Sequence, residues 1–330
     1  MDYSSILTSG VYGALGPVAI GYVLAAIGLN IHFGYTGLLN FGQVAFMLVG
    51  AYGVAISVST FGLSMWVGVL VGILAAAVLA LILGIPALRL RSDYLAISTI
   101  AAGEVLRLFY RSSVAEPLTG GVYGLQRFGD DLLDLNPVPP GIYEVGPLAF
   151  TARDVWLMSV GWGLVALVVI LVYLLIHSPW GRVIRAIRED EEAARSLGKN
   201  VYAYKLQSLV LGGVIGALGG MVFTIHQQSA HPDGFDPVVT FFLYTMLVLG
   251  GAGRVFGPVL GGLLFWFLML SFDAFLRELM ATGYIPPEIL VPSDVGALRL
   301  ALVGLGLLLL MAFRPQGILG NRREMVLDVR

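Results

Sequence analysis

The chain has 330 residues, of which 58% are hydrophobic and 12% charged, and its formal net charge is −2; its mean hydropathy is +0.87. Soluble domains carry roughly a quarter charged residues to cover their surface, so these values exclude one, and nothing in the charge balance resembles a basic nucleic-acid groove. With no cysteine, disulfides and thiolate metal sites are excluded as well.

Apolar runs long enough for a helix to cross a bilayer recur throughout, and the short alternating segments of a lipid-facing barrel do not dominate. The expected fold class is an all-α polytopic membrane protein with about nine transmembrane helices, eight to ten, some interrupted at Gly-rich turns. The first residues, MDYSSILTSGVYG, hold no Lys or Arg. A secretory leader opens on positive charge, so the first apolar run reads as a true span with the N-terminus outside. Spans are expected near 10–31, 38–60, 63–88, 93–112, 154–177, 206–227, 239–251, 256–275 and 298–313. Arg89 and Arg91 end the third span inside, and Arg314, Arg322, Arg323 and Arg330 hold a C-terminal tail, 314–330, inside. The whole chain reads as one transmembrane domain.

Two glycine-rich stretches sit where one apolar run yields to the next: Gly34-Tyr35-Thr36-Gly37-Leu38-Leu39-Asn40-Phe41-Gly42-Gln43 and Gly250-Gly251-Ala252-Gly253-Arg254-Val255-Phe256-Gly257-Pro258. Transporters build pathways from helices broken at corresponding places in two halves, which marks Gly37, Asn40, Gln43, Gly253 and Gly257. Plain helix packing also uses small residues, and the sequence leaves both readings open. Glu104 falls inside the fourth span, with Arg107 and Arg111 one and two turns on. An intramembrane charge is costly and marks either a structural ion pair or a pathway contact for an ammonium group.

Residues 113–153 form a long outside loop, acidic within 116–150 through Glu116, Asp130, Asp131, Asp134 and Glu144 against Arg127, with a helix-forbidding run from Pro137 to Gly141. It reads as an inert linker or as a docking surface for an external partner.

The segment 178–205, SPWGRVIRAIREDEEAARSLGKNVYAYK, holds six of the 19 basic residues and is expected to face the cytoplasm. Pro179 stops the preceding span, residues 182–197 favour a helix, and Gly198 is the expected left-handed terminator. Ala193 and Ala194 give that helix a bare patch rimmed by Glu189, Asp190, Glu191, Glu192 and Arg195. A short helix set into a partner's groove uses this pattern, and so does a solvated connector.

Enzyme chemistry has little support. No G-x-x-x-x-G-K-[ST] phosphate loop occurs, no Gly-x-Ser-x-Gly elbow, and His32, His177, His226 and His231 lack metal-ligand spacing.

The ordered set GYTGLLNFGQVAFMLVGAY (34–52), PALRLRSDYLAISTIAAGEVLR (86–107), LTGGVYGL (118–125), the 178–206 segment, VLGGAGRVFGPVLGG (248–262) and RPQGILG (314–320) covers most of the chain. It resembles the membrane permease of branched-chain amino acid ABC importers, the Liv-type M subunit family. The resemblance implies one permease domain, 1–330, in a bacterial plasma (inner) membrane, a transport subunit without an ATPase site, cofactor or metal. It also implies a second homologous permease, two cytoplasmic ATP-binding subunits and an external substrate-binding protein. The segment 178–205 resembles the loop that contacts the ATPase, which carries that role onto Glu189, Asp190, Ala193, Ala194 and Gly198. Asn40 and Gln43 stand where many relatives have Ser and His, and importers of urea and other small solutes share the scaffold. A self-sufficient secondary transporter is the competing class; it requires several carboxylates on separate spans, and the sequence offers Glu104 and Asp273.

Overall fold

The computed structural model describes residues 3–282, 294–313 and 316–320. They form helices α1 (Tyr3–Leu15), α2 (Pro17–Leu29), α3 (Gln43–Ser59), α4 (Met65–Ala87), α5 (Ser92–Arg111), α6 (Glu116–Thr119), α7 (Asp130–Asp134), α8 (Ala152–His177), α9 (Pro179–Glu189), α10 (Glu191–Ser196), α11 (Val201–Gln227), α12 (Val238–Gly250), α13 (Gly257–Ala281) and α14 (Val295–Phe313). Four short strands, β1 (Leu125–Gln126), β2 (Ile142–Val145), β3 (Leu148–Thr151) and β4 (Ser229–Ala230), complete them. Arg314, Arg322, Arg323 and Arg330, expected to anchor the tail, lie outside the described residues.

Among the described residues, five stretches are long and apolar enough to cross a membrane: Pro17–Tyr35, α4, α8, α11 and α13. α3, α12 and the first part of α14 are shorter apolar helices, and α5 is the most polar of the long helices because it carries Glu104, Arg107 and Arg111. The chain is therefore an all-α polytopic membrane protein. Its lipid-facing side is legible in the exposed apolar faces of α4, through Leu70, Leu74 and Ile82, and of α8, through Leu167, Ile170 and Leu174.

α11 packs against α2, α3 and α4 in the centre. Backbones nearly touch there: a Cβ on Gly28 would lie 2.3 Å from the Gly212 carbonyl oxygen, and one on Gly50 2.4 Å from that of Ala217. Lipid is as apolar as the side chains, so membrane helices gain stability from such close approach. Glycine at these positions serves packing.

The first span differs from its expected course. Gly16 is extended (φ −65°, ψ 161°) and Pro17 opens α2, because a residue before proline is driven out of the helical region. Beyond Leu29 the helix widens into a π-helical turn, Asn30–Tyr35. α13 runs to Ala281, past the expected 275, and α11 starts at Val201 rather than 206.

The loop 113–153 folds back over one end of the bundle. Leu125 of β1 pairs with Ala230 of β4, and β2 and β3 form a hairpin. Asp131 Oδ2 accepts from the Met65 backbone N–H at 2.7 Å and so caps α4, while Trp156 Nε1 donates to the Leu132 carbonyl at 2.8 Å. α9 and α10 lie at the opposite end.

Candidate functional site

Between Tyr35 and Gln43 the backbone leaves the helix inside the bundle. Non-helical backbone is tolerated in a membrane protein only where protein supplies its hydrogen bonds, and here it does. The Phe41 N–H reaches Thr99 Oγ1 at 3.0 Å, the Val44 N–H reaches Thr240 Oγ1 at 3.1 Å, and the Tyr244 hydroxyl donates to the Asn40 carbonyl at 3.1 Å. Thr36 Oγ1 donates to the Ile31 carbonyl at 2.8 Å and lies 2.6 Å from Ser208 Oγ.

The side chains of the break form one closed chain. His32 Nε2 donates to the Leu209 carbonyl at 3.1 Å, which leaves Nδ1 to accept from Asn40 Nδ2 at 3.0 Å. The second Asn40 amide hydrogen goes to Gln43 Oε1 at 3.2 Å, and Asn40 Oδ1 accepts from the Gly42 N–H at 2.9 Å. Gln43 Nε2 then donates to the carbonyls of Gly212 at 3.1 Å and Ala25 at 3.3 Å. Asn40 and Gln43 are thus buried staples joining the break to α2 and α11, with their amide groups fully engaged inside the chain.

The second glycine-rich stretch is also a helix break, from Gly251 to Phe256 between α12 and α13. It meets the first. Asn30, buried in the π-helical turn, donates from Nδ2 to the Arg254 carbonyl and accepts at Oδ1 from the Gly253 N–H, both at 2.8 Å. Gly37 and Gly253 each have φ +73°, a conformation that disfavours a Cβ. A Cβ on Gly253 would also lie 3.0 Å from the Gly34 oxygen, and one on Gly257 2.1 Å from the Gly251 oxygen. Gly37, Asn40, Gln43, Gly253 and Gly257 therefore belong to one junction of two broken helices. Glu104 is elsewhere.

The 178–205 segment is two helices, where one was expected from 182 to 197. Asp190 is extended (φ −153°, ψ 106°) and its Oδ1 accepts from the Ala193 N–H at 2.9 Å, so it ends α9 and caps α10. Pro179 occupies the first turn of α9, and Gly198 has φ +76°. Ile184 joins the core formed by α2 and α8, and Ile187 packs with Ala194 and Val201. Burying each isoleucine contributes about 1.5–3 kcal/mol, which seats α9 firmly on the bundle. Ala194, only 3% exposed, faces inward, so the bare patch expected from two alanines reduces to Ala193. Glu191 binds Arg195 at 2.9 Å and Lys205, tying α10 to α11, while Glu189 and Glu192 are exposed.

Arg188, on α9, connects this element to the junction. Its Nη1 donates to the Gly34 carbonyl, and its side chain and Cα lie against Gly37. Neither Arg188 nor Asn30 stands out in the sequence. An asparagine within an apolar run is the signal that was available for Asn30; Arg188 is one arginine among several.

Glu104 lies on α5 near the opposite end, its side chain 34% exposed. Arg107 donates from Nη2 to Oε1 at 2.6 Å and from Nε to Oε2 at 2.9 Å, and reaches Asp233 Oδ1 with Nη1 at 2.8 Å. Arg111 lies 3.3 Å from the same Asp233 oxygen. This quartet ties α5 to the turn after α11. Asp273, at the other end of the sequence, pairs with Arg277 and Arg299 at 2.7 and 3.0 Å.

A family model described as "Branched-chain amino acid transport system / permease component" matches residues 15–312. The chain is 31% identical to the high-affinity branched-chain amino acid transport system permease protein LivM of Escherichia coli K12 over 92% of this chain and 68% of that protein. It is 26% identical to a probable branched-chain amino acid transport permease protein LivM of Methanocaldococcus jannaschii, over 91% of each. It is 29% identical to the nucleoside ABC transporter permease protein NupC of Lactococcus lactis, over 57% of this chain and 58% of that one. No solved structure gives a significant match.

Proposed function

The chain belongs to the family of branched-chain amino acid transport system permease components, and from that premise we propose that it is a transmembrane subunit of an ABC importer for branched-chain or related hydrophobic amino acids. The α9–α10 end faces the cytoplasm and receives two ATP-binding subunits; the N-terminus lies outside, and the folded 113–153 segment faces an external substrate-binding protein. A second homologous permease completes the membrane part. The basic residues gathered in 178–205 support this orientation.

The observation that carries the coupling role is the contact of Arg188 with Gly34 and Gly37. Force on the exposed Glu189, Ala193 and Gly198 surface would pass through α9 to Arg188. From there it reaches both broken helices at once, because Asn30 joins them. Two helices hinged at glycine turns can exchange inward-open and outward-open arrangements with little internal rearrangement. Substrate selection then rests mainly with the external protein, and the permease supplies an apolar route.

The nucleoside permease among the relatives supports a second substrate class on the same scaffold. Reconstitution decides both points. Vesicles holding the complete complex should accumulate labelled leucine with ATP inside the ATPase compartment, and the single chain should be idle. Sustained accumulation by the chain alone would remove the importer reading; accumulation of nucleoside in place of leucine would replace the substrate.

A further inference from the structure

The first break reaches the surface of the chain between α5 and α12. Phe41 stacks on Tyr244 with ring centres 4.7 Å apart and meets Phe241 at 5.6 Å, while its N–H is held by Thr99 of α5. Leu39, Phe41 and Thr245 are partly exposed, and Phe241 is 47% exposed. Phe241 and Thr245 stand one helical turn apart on a single face of α12. The bond to Thr99 fixes the depth of this face. It lies about 10 Å from the first residue of α5 and about 18 Å from the last, on a helix about 30 Å long. That length matches the hydrocarbon core of a bilayer, so the face stands within it.

The protein supplies most of the hydrogen bonds of this break, and three groups are left over. Among the described residues, no hydrogen bond reaches the N–H or the carbonyl of Leu39, and none reaches the hydroxyl of Thr245. Unbonded polar groups at this depth are costly against lipid; they persist where protein buries them or where they line a water-filled cavity. Leu39 and Thr245 are not buried. The lipid-facing sides of α4 and α8 differ, with Leu70, Leu74 and Ile82 on one and Leu167, Ile170 and Leu174 on the other. The face between α5 and α12 therefore belongs to water rather than to hydrocarbon.

We propose that the transported solute passes along this face and touches it at Leu39, Phe41, Phe241 and Thr245, a reading that rests on the importer function given above. The Leu39 N–H is a donor for a carboxylate, and its carbonyl and the Thr245 hydroxyl accept from an ammonium group. The rings of Phe41 and Phe241 cover an apolar side chain. Together these groups fit an α-amino acid with an apolar side chain. None of the four residues carries a charge, so neutral dipoles hold the zwitterion and release it readily, as a conducting site requires. The broken helix thus lends backbone to the solute, as unwound segments do in transporters, while Asn40 and Gln43 beside it hold the break in shape.

The chain has no cysteine, so a single introduced thiol reports its own surroundings. A thiol reacts as its thiolate, which forms in water and not in hydrocarbon. Phe241→Cys and Thr245→Cys chains, assembled in the complete complex in vesicles, are treated on both sides with a charged methanethiosulfonate reagent. Leu74→Cys and Ile170→Cys serve as lipid-facing controls, and Leu39→Cys stands in where either test chain fails to assemble. The test chains should react roughly tenfold faster than the controls; saturating leucine should slow them severalfold and leave the controls unchanged. Leucine uptake by the parent complex is measured first, so a failure of the importer reading shows there and a failure of this site shows in the labelling. Labelling as slow as that of the controls overturns the proposal, because lipid or a second permease then covers the face. Rapid labelling that leucine does not slow, in a complex that accumulates leucine, also overturns it: the face is wet, and the solute passes elsewhere.

Discussion

Arg188 donates to the carbonyl of Gly34, a residue 154 positions earlier, and this hydrogen bond joins the α9 helix to the broken first span. The carbonyl is available because the π-helical turn ends there and Gly37 turns away with φ +73°. Charge-assisted hydrogen bonds contribute about 1.5–3 kcal/mol. Arg188→Ala removes the bond while leaving Ile184 and Ile187 seated. It should lower ATP-dependent uptake about tenfold or more at unchanged membrane abundance, with ATP hydrolysis by the complex persisting. Arg188→Lys keeps a donor but not the planar fork, and should fall between. Uptake and hydrolysis falling in parallel would mean that Arg188 does not transmit the stroke.

Asn30 satisfies two backbone groups of the second break with one amide. Asn30→Ala leaves the Gly253 N–H and the Arg254 carbonyl without that partner in a buried setting, at about 1–3 kcal/mol for each unmade bond. Asn30→Leu restores volume but neither bond, so it should be no better. Both variants should melt earlier in detergent than the parent, and Asn30→Asp, which keeps the acceptor for Gly253, should lie between. An Asn30→Leu chain as stable as the parent would show that packing alone holds the two turns together.

What the sequence made legible was local. Apolar length gave the spans, Pro179 and Gly198 marked the ends of the 178–198 element, and two glycine-rich stretches marked two breaks. Two further breaks also carry local signals: Pro17 after Gly16, and Asp190 followed by Glu191 and Glu192, which is the pattern of a helix N-cap with an acidic first turn. Treating 182–197 as continuous put Ala194 on the outside, whereas the break at Asp190 folds α10 back and turns it inward against Ile187. The pairings that make the junction leave no local trace. Asn30 and Gly253 are 223 positions apart, and no spacing rule connects them. His32 read as one of four scattered histidines because its partners, Asn40 and the Leu209 carbonyl, come from the turn and from α11.

Glu104 sits in a shared ion network, so its neutralisation and that of its partner should differ. Glu104→Gln keeps an acceptor for Arg107, and Arg107 retains Asp233 at 2.8 Å. As a pathway contact for an ammonium group, Glu104 would on this change lose uptake severalfold while folded protein held at the parent level. Arg107→Ala leaves Glu104 without its cation and Asp233 with Arg111 alone, at about 1 kcal/mol or less for such partly exposed pairs, and should lower abundance and melting temperature slightly. Paired measurements of uptake and of folded protein separate the two: if Glu104→Gln loses both equally, Glu104 acts only as a brace for α5.

The two neighbouring alanines of α10 separate docking from folding. Ala193 is exposed beside Glu189 and Glu192, whereas Ala194 packs on Ile187 and Val201. Ala193→Glu should fold normally and lose co-purification of the ATP-binding subunits. Ala194→Glu forces a carboxylate into an apolar contact, at several kcal/mol unless it finds a partner, and should loosen α10 itself, detected as faster amide exchange from Glu191 to Val201. Gly198→Asp meets the left-handed conformation at φ +76° in open space, which costs about 1 kcal/mol, so any loss of ATPase binding in that variant reports added charge at the surface. If Ala193→Glu retains its ATPase partner while Ala194→Glu loses it with exchange unchanged, the docking face is on the side of α10 that packs against α9, and the coupling surface assigned here is turned the wrong way.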